Sequence, residues 1–180
     1  MLKFVTGNKN KFGEIRTILA PLAVEQLEME LDEIQELDPH KIIRHKLNQA
    51  LKHYAGPLMV EDSSLYFDCF NGKLPGPFLK WFQDSLSNAA LANITNKLGN
   101  NKARGLCIIG YAKNKDEIHF FESFLKGSIV EPRGQKDFGY GAIFQPEGQD
   151  KTFGEMARLE KHQISMRGQA AKKLKAFLLK

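Results

Sequence analysis

The chain has 180 residues, of which 42% are hydrophobic and 26% are charged, the ordinary range for one globular domain with a buried core. Its two cysteines, Cys69 and Cys107, lie far apart and form no CxxC pair, so neither a disulfide framework nor a zinc site is indicated. No apolar run approaches a membrane span, and no signal-peptide pattern opens the sequence. We therefore expect a single domain over residues 1–180, located in the cytoplasm and not in a membrane.

The formal net charge of +5 is concentrated towards the end of the sequence. Residues 151–180 contain eight Lys or Arg against two Glu, so the first 150 residues are close to neutral. Residues 25–38 hold seven acidic residues and no basic one, a pattern that repels a polyanion. An RNA-binding domain, which would show salt-sensitive binding to oligonucleotides, is therefore the weakest functional alternative, and we expect no nucleic-acid partner.

Strand and helix patterns alternate along the chain. Residues 2–6 predict a strand, 10–19 a helix, 38–55 a helix that starts at Asp38-Pro39, and 58–60 a buried strand that ends in Glu61 and Asp62. Two helices over 77–82 and 87–98 follow, then two long strands over 103–112 and 117–125, and a last helix from about Ser165. The alternation predicts an α/β domain, and the adjacent strand pair makes its sheet mixed.

A turn rich in hydrogen-bond donors separates the first strand from its helix. It consists of Thr6, Gly7, Asn8, Lys9, Asn10 and Lys11. Donors of this kind at a helix N-terminus are suited to binding a phosphate. The turn is not a P-loop, because the second Gly and the Lys-Ser/Thr pair are missing. From the residues alone, a capped turn and a phosphate site both remain open.

Acidic residues precede one predicted helix, at Asp32 and Glu33, and end a predicted strand, at Glu61 and Asp62. Mg²⁺ usually takes one or two protein carboxylates together with substrate phosphates and water, so two dispersed acids suffice. The chain has no zinc-like set of His and Cys, no HExxH spacing and no GxSxG elbow. The acids and the lysines therefore favour metal-assisted phosphate chemistry.

An aromatic segment punctuated by glycines precedes the last helix. Gly139 and Gly141 allow the backbone to approach a ligand closely, and Phe138 and Tyr140 offer faces that can stack a base. Lys161, Ser165 and Arg167 bring donors to the start of the helix. We interpret this segment as a nucleotide pocket, and its alternative is a tight turn that packs its own aromatic rings.

Two further features have structural interpretations. The segment LPGPFLKWF at 74–82 predicts a rigid turn before an aromatic helix, in which Phe78, Trp81 and Phe82 form core or interface. Lys46 falls on the polar side of its helix, where solvent-exposed lysines usually lie.

These motifs, in this order, resemble the inosine triphosphate pyrophosphatase family. The resemblance covers nearly the whole chain, through TGNKNK at 6–11, VEDSSL at 60–65, LPGPFLKWF at 74–82, PRG and FGYGAIFQPEG within 132–148, TFGEM at 152–156 and EKHQISMR at 160–167. It implies an elongated twisted mixed β-sheet flanked by helices in two lobes with the active cleft between them, and a homodimer. It also implies hydrolysis of ITP, dITP or XTP to the monophosphate and pyrophosphate, as house-cleaning of the nucleotide pool.

The resemblance further implies a role for each matching residue. Asp62 and Lys11 would be the catalytic residues, with Asp62 as the base for the attacking water, and Glu33 and Asp62 would bind Mg²⁺, or Mn²⁺ in its place. The triphosphate would be held by Thr6, Gly7, Asn8, Lys9, Asn10, Lys11, Lys46, Ser63 and Lys80. The base would be enclosed and read by Phe138, Gly139, Tyr140, Gly141, Lys161, Ser165, Met166 and Arg167, with Arg167 donating to O6 of the purine.

The chain departs from the family pattern in the base pocket. Where the family usually has FGYDP, Gly141 replaces the Asp and Ala142 replaces the Pro; Met166 replaces the His of SHR, and His162 replaces the Asn of EKN. The phosphate and metal positions match. We therefore expect triphosphate cleavage with a relaxed or redirected base selectivity. The alternative is a catalytically weak nucleotide-binding protein of the same fold, acting as a sensor or a sequestering module.

Overall fold

The computed structural model describes residues 1–135 and 137–180, which form one mixed sheet and six α-helices. The strands are β1 (Leu2–Val5), β2 (Val24–Leu27), β3 (Leu58–Phe67), β4 (Pro75–Gly76), β5 (Lys102–Ala112), β6 (Ile118–Ile129) and β7 (Phe144–Pro146). The helices are α1 (Lys9–Leu19), α2 (Pro39–His53), α3 (Leu79–Ser85), α4 (Asn88–Lys97), α5 (Arg158–Ile164) and α6 (Met166–Leu178), with a short 3-10 helix at Asp68–Phe70.

The sheet is mixed in direction. Its strand order is β2-β1-β3-β5-β6-β7, and β4 pairs with β3 outside this path. Strand β1 runs parallel to both β2 and β3, whereas β4 is antiparallel to β3 and β7 is antiparallel to β6. The predicted α/β class with a mixed sheet is confirmed.

The chain divides into two compact units. Unit 1 comprises Met1–Ser63, Cys107–Ser123 and Met166–Lys180, and unit 2 comprises Ser64–Leu106 and Phe124–Ser165. Each unit has its own buried residues: those of unit 1 include Phe4, Ile15, Ile43 and Leu47, and those of unit 2 include Phe67, Leu91, Phe144 and Phe153.

Helices cover both faces of the sheet in unit 1, as the alternation of side chains along β6 shows. The rings of His119 and Phe121 contact Phe177 of α6, whereas Phe120, between them in sequence, contacts His40 and lies under the guanidinium of α2 residue Arg44. Helix α1 packs with α6. The sheet of unit 1 therefore has α1 and α6 on one face and α2 on the other.

Side-chain caps set where the first two helices begin. The Asn8 side chain accepts hydrogen bonds from the backbone N–H groups of Asn10 and Lys11, which starts α1. The Asp38 side chain accepts from the N–H of His40, and Pro39 occupies the first turn of α2. The cap predicted at Asp38 is confirmed.

Strand β3 differs from its prediction. The sequence predicts that it ends at Val60, but the strand continues through the polar residues 61–64 to Phe67. Glu61 and Ser64 are buried and Asp62 and Ser63 are partly buried, so the polar run lies inside the sheet and is not a turn. The acids were expected at the end of the strand; they lie in its interior.

Helix α3 also corrects a prediction. Of the two roles predicted for Trp81, core and interface, the core is excluded because the residue is 62% exposed, and the buried residue of this short helix is Leu79. Phe82 packs near Phe70 of the 3-10 helix, with 6.3 Å between the ring centroids. An interface role for Trp81 stays a prediction. None of the helices in the described part of the chain has the length and apolar character that a bilayer span requires.

Candidate active site

Glu61 of β3 is a carboxylate with no exposed side-chain surface and several partners. Lys11 Nζ lies 2.8 Å from its Oε2, and Arg167 Nε lies 3.3 Å from its Oε1. Ser63 Oγ and Cys107 Sγ also donate to Oε1, over 2.5 and 3.1 Å. Burial alone would raise the pKa of Glu61, but the charges of Arg167 and Lys11 outweigh it and hold the pKa well below its ordinary value. Glu61 is therefore ionised at neutral pH.

Arg167, the second residue of α6, joins three partners through its planar guanidinium. Nη1 donates to Glu14 Oε2 over 2.6 Å, Nε contacts Glu61, and Nη2 donates to Ser63 Oγ over 3.1 Å. Burial would lower the pKa of Arg167, but the neighbouring Glu61 and Glu14 raise it above its ordinary value. The result is a permanently charged group fixed beside the central strand.

Asp62 follows Glu61 on β3 and points to the opposite face, because successive side chains of a strand alternate. There Lys46 Nζ, from α2, lies 3.4 Å from Asp62 Oδ1 and 2.8 Å from Glu33 Oε1. Burial, together with the nearby charges of Glu61 and Glu33, raises the pKa of Asp62 against the opposing effect of the lysines. Asp62 is thus a better proton acceptor than an ordinary aspartate.

Lys46 itself departs from its predicted position. Only 9% of the residue is exposed, so the expectation of a solvent lysine was wrong. The polar side of α2 faces the carboxylates of Asp62 and Glu33 at this point, and the ammonium has ionic partners that the helical period cannot reveal. Burial would lower the pKa of Lys46, but these two carboxylates outweigh it and raise the pKa.

The sequence left two interpretations of the donor-rich turn at residues 6–11, a capped turn and a phosphate site. The structure shows the hydrogen bonds of a capped turn. Thr6 Oγ1 accepts from the Asn8 N–H over 3.1 Å, and the Thr6 carbonyl accepts from Gln26 Nε2 over 2.8 Å. Gly7 is exposed, and a Cβ atom placed on it would meet nothing within 4 Å. Lys9 and Asn10 are exposed at the helix start. Phosphate binding at this turn stays a prediction.

The carboxylates of Glu33 and Asp62 suit a hard divalent cation. Both approach one positive charge, the Lys46 ammonium, so their oxygen atoms converge on the same place. Across residues 1–135 and 137–180, no group of three or more His, Cys, Asp or Glu side chains is arranged to hold a metal. Two carboxylates are the protein share that Mg²⁺ commonly uses beside substrate phosphates, so the donor set fits that ion.

In unit 2, the predicted base loop is fastened by an amide chain from α3 and α4. Gln83 Nε2 donates to Asn88 Oδ1 over 3.1 Å, and Asn88 Nδ2 donates to the Gly139 carbonyl over 2.9 Å. Gly139 has φ +64°, a left-handed conformation that favours glycine. Tyr140 packs edge-on against Phe144, with centroids 6.0 Å apart, as the tight-turn alternative expects of an aromatic residue here.

Lys161 of α5 is the charged residue that contacts this loop. Its Nζ lies 2.5 Å from Asp137 Oδ1 and over the rings of Phe138 and Phe153, at 5.1 and 5.8 Å from their centroids. Ser165 is buried at the C-cap of α5, where its N–H donates to the Lys161 carbonyl. The structure thus brings Phe138 and Lys161 together.

The remaining predicted residues divide between the units. Unit 1 contains Lys11, Glu33, Lys46, Asp62, Ser63, Met166 and Arg167, together with the turn at residues 6–11. Met166 is buried as the first residue of α6. Lys80 lies exposed on α3 in unit 2, with the base loop and Lys161.

Sequence reasoning missed four residues of these clusters: Glu14, Cys107, Asn88 and Asp137. Glu14 could have been found, because it lies three positions after Lys11 on one helix and therefore shares its face. Cys107 and Asn88 gave no local signal. Asp137 directly precedes the aromatic loop, but its proximity to Lys161 depends on a contact 24 positions away.

The fold and these clusters define the class of protein: a mixed α/β protein in which two acids of a central strand, Glu61 and Asp62, pair with cations from the neighbouring helices. Within that class, the chain belongs to the Ham1 family, whose family model matches residues 2–177. This confirms the resemblance read from the motifs.

Relatives match over nearly their full lengths. The chain is 39% identical to the inosine triphosphate pyrophosphatase of Kluyveromyces lactis, covering 97% of this chain and 94% of the relative. It is 38% identical to that of Pyricularia oryzae, covering 98% and 92%. Among solved structures, it is similar to the Ham1 protein of Staphylococcus aureus, with a TM-score of 0.82 and 25% identity over 99% of this chain and 98% of that one.

Proposed function

We propose that the chain is a nucleoside triphosphate pyrophosphatase that removes non-standard purine nucleotides such as ITP, dITP and XTP from the nucleotide pool. The products would be the monophosphate and pyrophosphate. The observation that carries the proposal is the polar run of β3, whose successive carboxylates bind cations on its two faces: Glu61 lies 2.8 Å from Lys11 on one face, and Asp62 lies 3.4 Å from Lys46 on the other. The names of the relatives support the same activity.

Asp62 is the general base of this proposal. A general base has to be held within reach of the proton that it accepts, and Asp62 is held on β3 with its carboxylate 3.4 Å from the Lys46 ammonium. Asp62 would accept the proton of the water that attacks the triphosphate. Ser63, next to it and bonded to Arg167, would contact the substrate.

Lys11 and Lys46 supply positive charge for the phosphates. Negative charge develops on the leaving pyrophosphate as the bond breaks, and ammonium groups already fixed in place stabilise it without reorganisation. Lys11 is fixed by Glu61, and Lys46 by Glu33 and Asp62. The exposed turn at 6–11 would add donors from the start of α1.

A divalent cation, Mg²⁺ or Mn²⁺, belongs to the same proposal, and Glu33 and Asp62 would hold it. When bound, such an ion neutralises charge on phosphate oxygens. The two carboxylates fit that role because both already lie close to one positive charge, the Lys46 ammonium, at 2.8 Å from Glu33 and 3.4 Å from Asp62.

Base recognition would fall to the loop at 138–141 with Lys161 and Ser165, all in unit 2. The roles of Met166 and Arg167 rest on the resemblance alone, and the Arg167 guanidinium is already bonded to Glu14, Glu61 and Ser63. Phe138 lies partly exposed below the Lys161 ammonium and offers a ring on which a purine could stack. We also propose a homodimer, for which the exposed Trp81 ring is a candidate surface, and a cytoplasmic location. The alternative of binding without turnover has no specific support in the site or in the names of the relatives.

The proposal is tested by measuring pyrophosphate release with Mg²⁺ from ITP, XTP, dITP, GTP and ATP. We expect release from the non-standard purines and its loss in Asp62→Asn, while Asp68→Asn, an exposed carboxylate of the neighbouring 3-10 helix, retains it. Binding of ITP by the folded wild type without pyrophosphate release would overturn the proposal in favour of a sequestering protein. Near-normal turnover in Asp62→Asn would remove Asp62 from the mechanism.

A further inference from the structure

Position 141 requires a glycine because of the neighbouring Asp137 side chain and not because of its own backbone conformation. Its φ lies outside the left-handed region, so the backbone there would accept a side chain. A Cβ atom added at Gly141, however, would lie 2.2 Å from Asp137 Oδ2 and 2.6 Å from Asp137 Cβ. Contact with the Cβ cannot be relieved by turning the end of the aspartate side chain alone. The side chain of Asp137 therefore occupies the space that a side chain at position 141 would need.

The same carboxylate binds Lys161, the charged residue that contacts the base loop. Asp137 Oδ1 lies 2.5 Å from Lys161 Nζ, and only 7% of each side chain is exposed. Lys161 comes from α5, while Asp137 and Gly141 flank the aromatic residues of the loop. A buried ammonium needs a compensating partner, and Asp137 provides the negative charge next to it.

We infer that Asp137 is a positioning residue that determines base specificity, because its carboxylate fixes the Lys161 ammonium in the base pocket. The Asp137 side chain occupies the space that a carboxylate at position 141 would need. This inference rests on the proposed function, in which Lys161 reads the base. The base pocket thus still contains a carboxylate, that of Asp137, although this chain has FGYGA at 138–142 where the family usually has FGYDP. Only Ala142, His162 and Met166 then remain as reasons to expect an altered selectivity.

The proposed role predicts which kinetic constant changes. Lys161 contacts the base loop from α5, and the groups assigned to bond cleavage, Asp62, Lys11 and Lys46, belong to the other unit. Loosening Lys161 would therefore weaken the recognition of a base that presents an acceptor, and would leave the chemical step intact. ATP, which presents an amino group at position 6 of its purine, would be affected less than ITP.

The first experiment is a double-mutant cycle on the ion pair. We expect Asp137→Asn to raise KM for ITP about tenfold or more with kcat changed less than about threefold, and to lower the preference for ITP over ATP. In a Lys161→Met background, Asp137→Asn should have no further effect on KM, because its target is gone. Asp150→Asn, an exposed aspartate of the same unit, is the matched control and should match the wild type.

The second experiment moves the carboxylate, and its first readout, the melting temperature, does not depend on catalysis. Gly141→Asp alone should lower the melting temperature because it collides with Asp137. The double variant Asp137→Ala with Gly141→Asp should recover both the melting temperature and the ITP preference relative to Gly141→Asp. Failure of the double variant to recover the melting temperature would overturn the steric part of the inference.

Failure of the proposed function and failure of the positioning role of Asp137 give different experimental results. If the wild type releases no pyrophosphate from any nucleotide, the proposed function fails, whatever the variants do. If the wild type is active and Asp137→Asn keeps the wild-type KM and ITP preference, the positioning role fails alone. A lowered melting temperature in Asp137→Asn with unchanged KM would assign Asp137 a purely structural role and would also overturn it.

Discussion

Arg167 Nη1 and Glu14 Oε2 are 2.6 Å apart, which joins the start of α6 to α1 across 153 positions of sequence. The same guanidinium contacts Glu61, so one arginine serves two carboxylates that have little or no exposed surface. Such an arrangement is costly to break, because removal of the arginine takes away a positive charge shared by two carboxylates and leaves Lys11 as the cation beside Glu61.

We therefore expect Arg167→Met to lower the free energy of unfolding by about 3–5 kcal/mol, measured by urea denaturation. Glu14→Gln keeps an acceptor for Nη1 and should cost less, about 1–2 kcal/mol. Arg158→Met, an exposed arginine at the start of α5, is the control and should lie within about 0.5 kcal/mol of the wild type. A loss below about 1 kcal/mol in Arg167→Met would show that the network contributes little to stability.

Lys46 and Lys41 lie on the same helix in opposite environments. Lys46 is buried against Glu33 and Asp62, and Lys41 is exposed and pairs with Glu36 over 3.1 Å. We expect Lys46→Met to lower kcat/KM for ITP about 100-fold or more, since a fixed charge is lost from the phosphate site. Lys41→Met should change it by less than about twofold, because an exposed ion pair has little effect. Equal effects of the two substitutions would contradict the assignment of Lys46.

The two thiols should differ in reactivity. Burial and the charge of Glu61 raise the pKa of Cys107 well above its ordinary value, so its reactive thiolate is absent at pH 8. Burial raises the pKa of Cys69 as well, but that residue is only half-buried. Titration with a disulfide reagent should label one thiol in the native protein and both in guanidinium. Rapid labelling of a native Cys69→Ser variant would contradict this.

A divalent cation should stabilise the folded protein as well as support turnover. We expect EDTA to abolish pyrophosphate release and Mg²⁺ to restore it. Mg²⁺ should raise the melting temperature of the wild type, since a ligand that binds only the folded state stabilises it. Glu33→Gln should shift both effects to higher Mg²⁺, whereas Glu36→Gln, an acid that pairs with Lys41, should shift neither. Identical Mg²⁺ dependence in Glu33→Gln would exclude Glu33 as a ligand.

The sequence predicts the long elements well. Helix α2 carries both a cap and a sustained apolar period, and β5 and β6 each extend over more than ten residues, so their patterns are unambiguous. Strands β2, β4 and β7 have four residues or fewer, and their existence depends on distant pairing partners. Helix α5 was missed for a similar reason, since seven residues give too few repeats for a period.

The sequence motifs named candidate site residues, but they did not indicate the electrostatics of those residues, which depends on distant partners. The motif at 60–65 led to Asp62, but not to the buried state of Glu61, which needs Lys11 and Arg167 from two other helices. Lys46 was predicted to be exposed, because the helical period alone places it on the polar side of α2, but the structure buries it. A local sequence pattern shows which side of a helix or strand is polar, but it does not show which residues of other elements that side contacts.

The alternation of Glu61 and Asp62 along β3 limits how this part of the chain can change in length. Deleting one residue of β3 ahead of Glu61 would move Asp62 into the position of Glu61, so that a shorter aspartate would lie among Lys11, Arg167 and Cys107. Inserting one residue there would instead move Glu61 into the position of Asp62, so that a longer glutamate would lie beside Lys46. In either case one position would hold the wrong acid and the other would lose its own. Surface loops of this protein can therefore gain or lose residues during evolution, while β3 can be altered by substitution only.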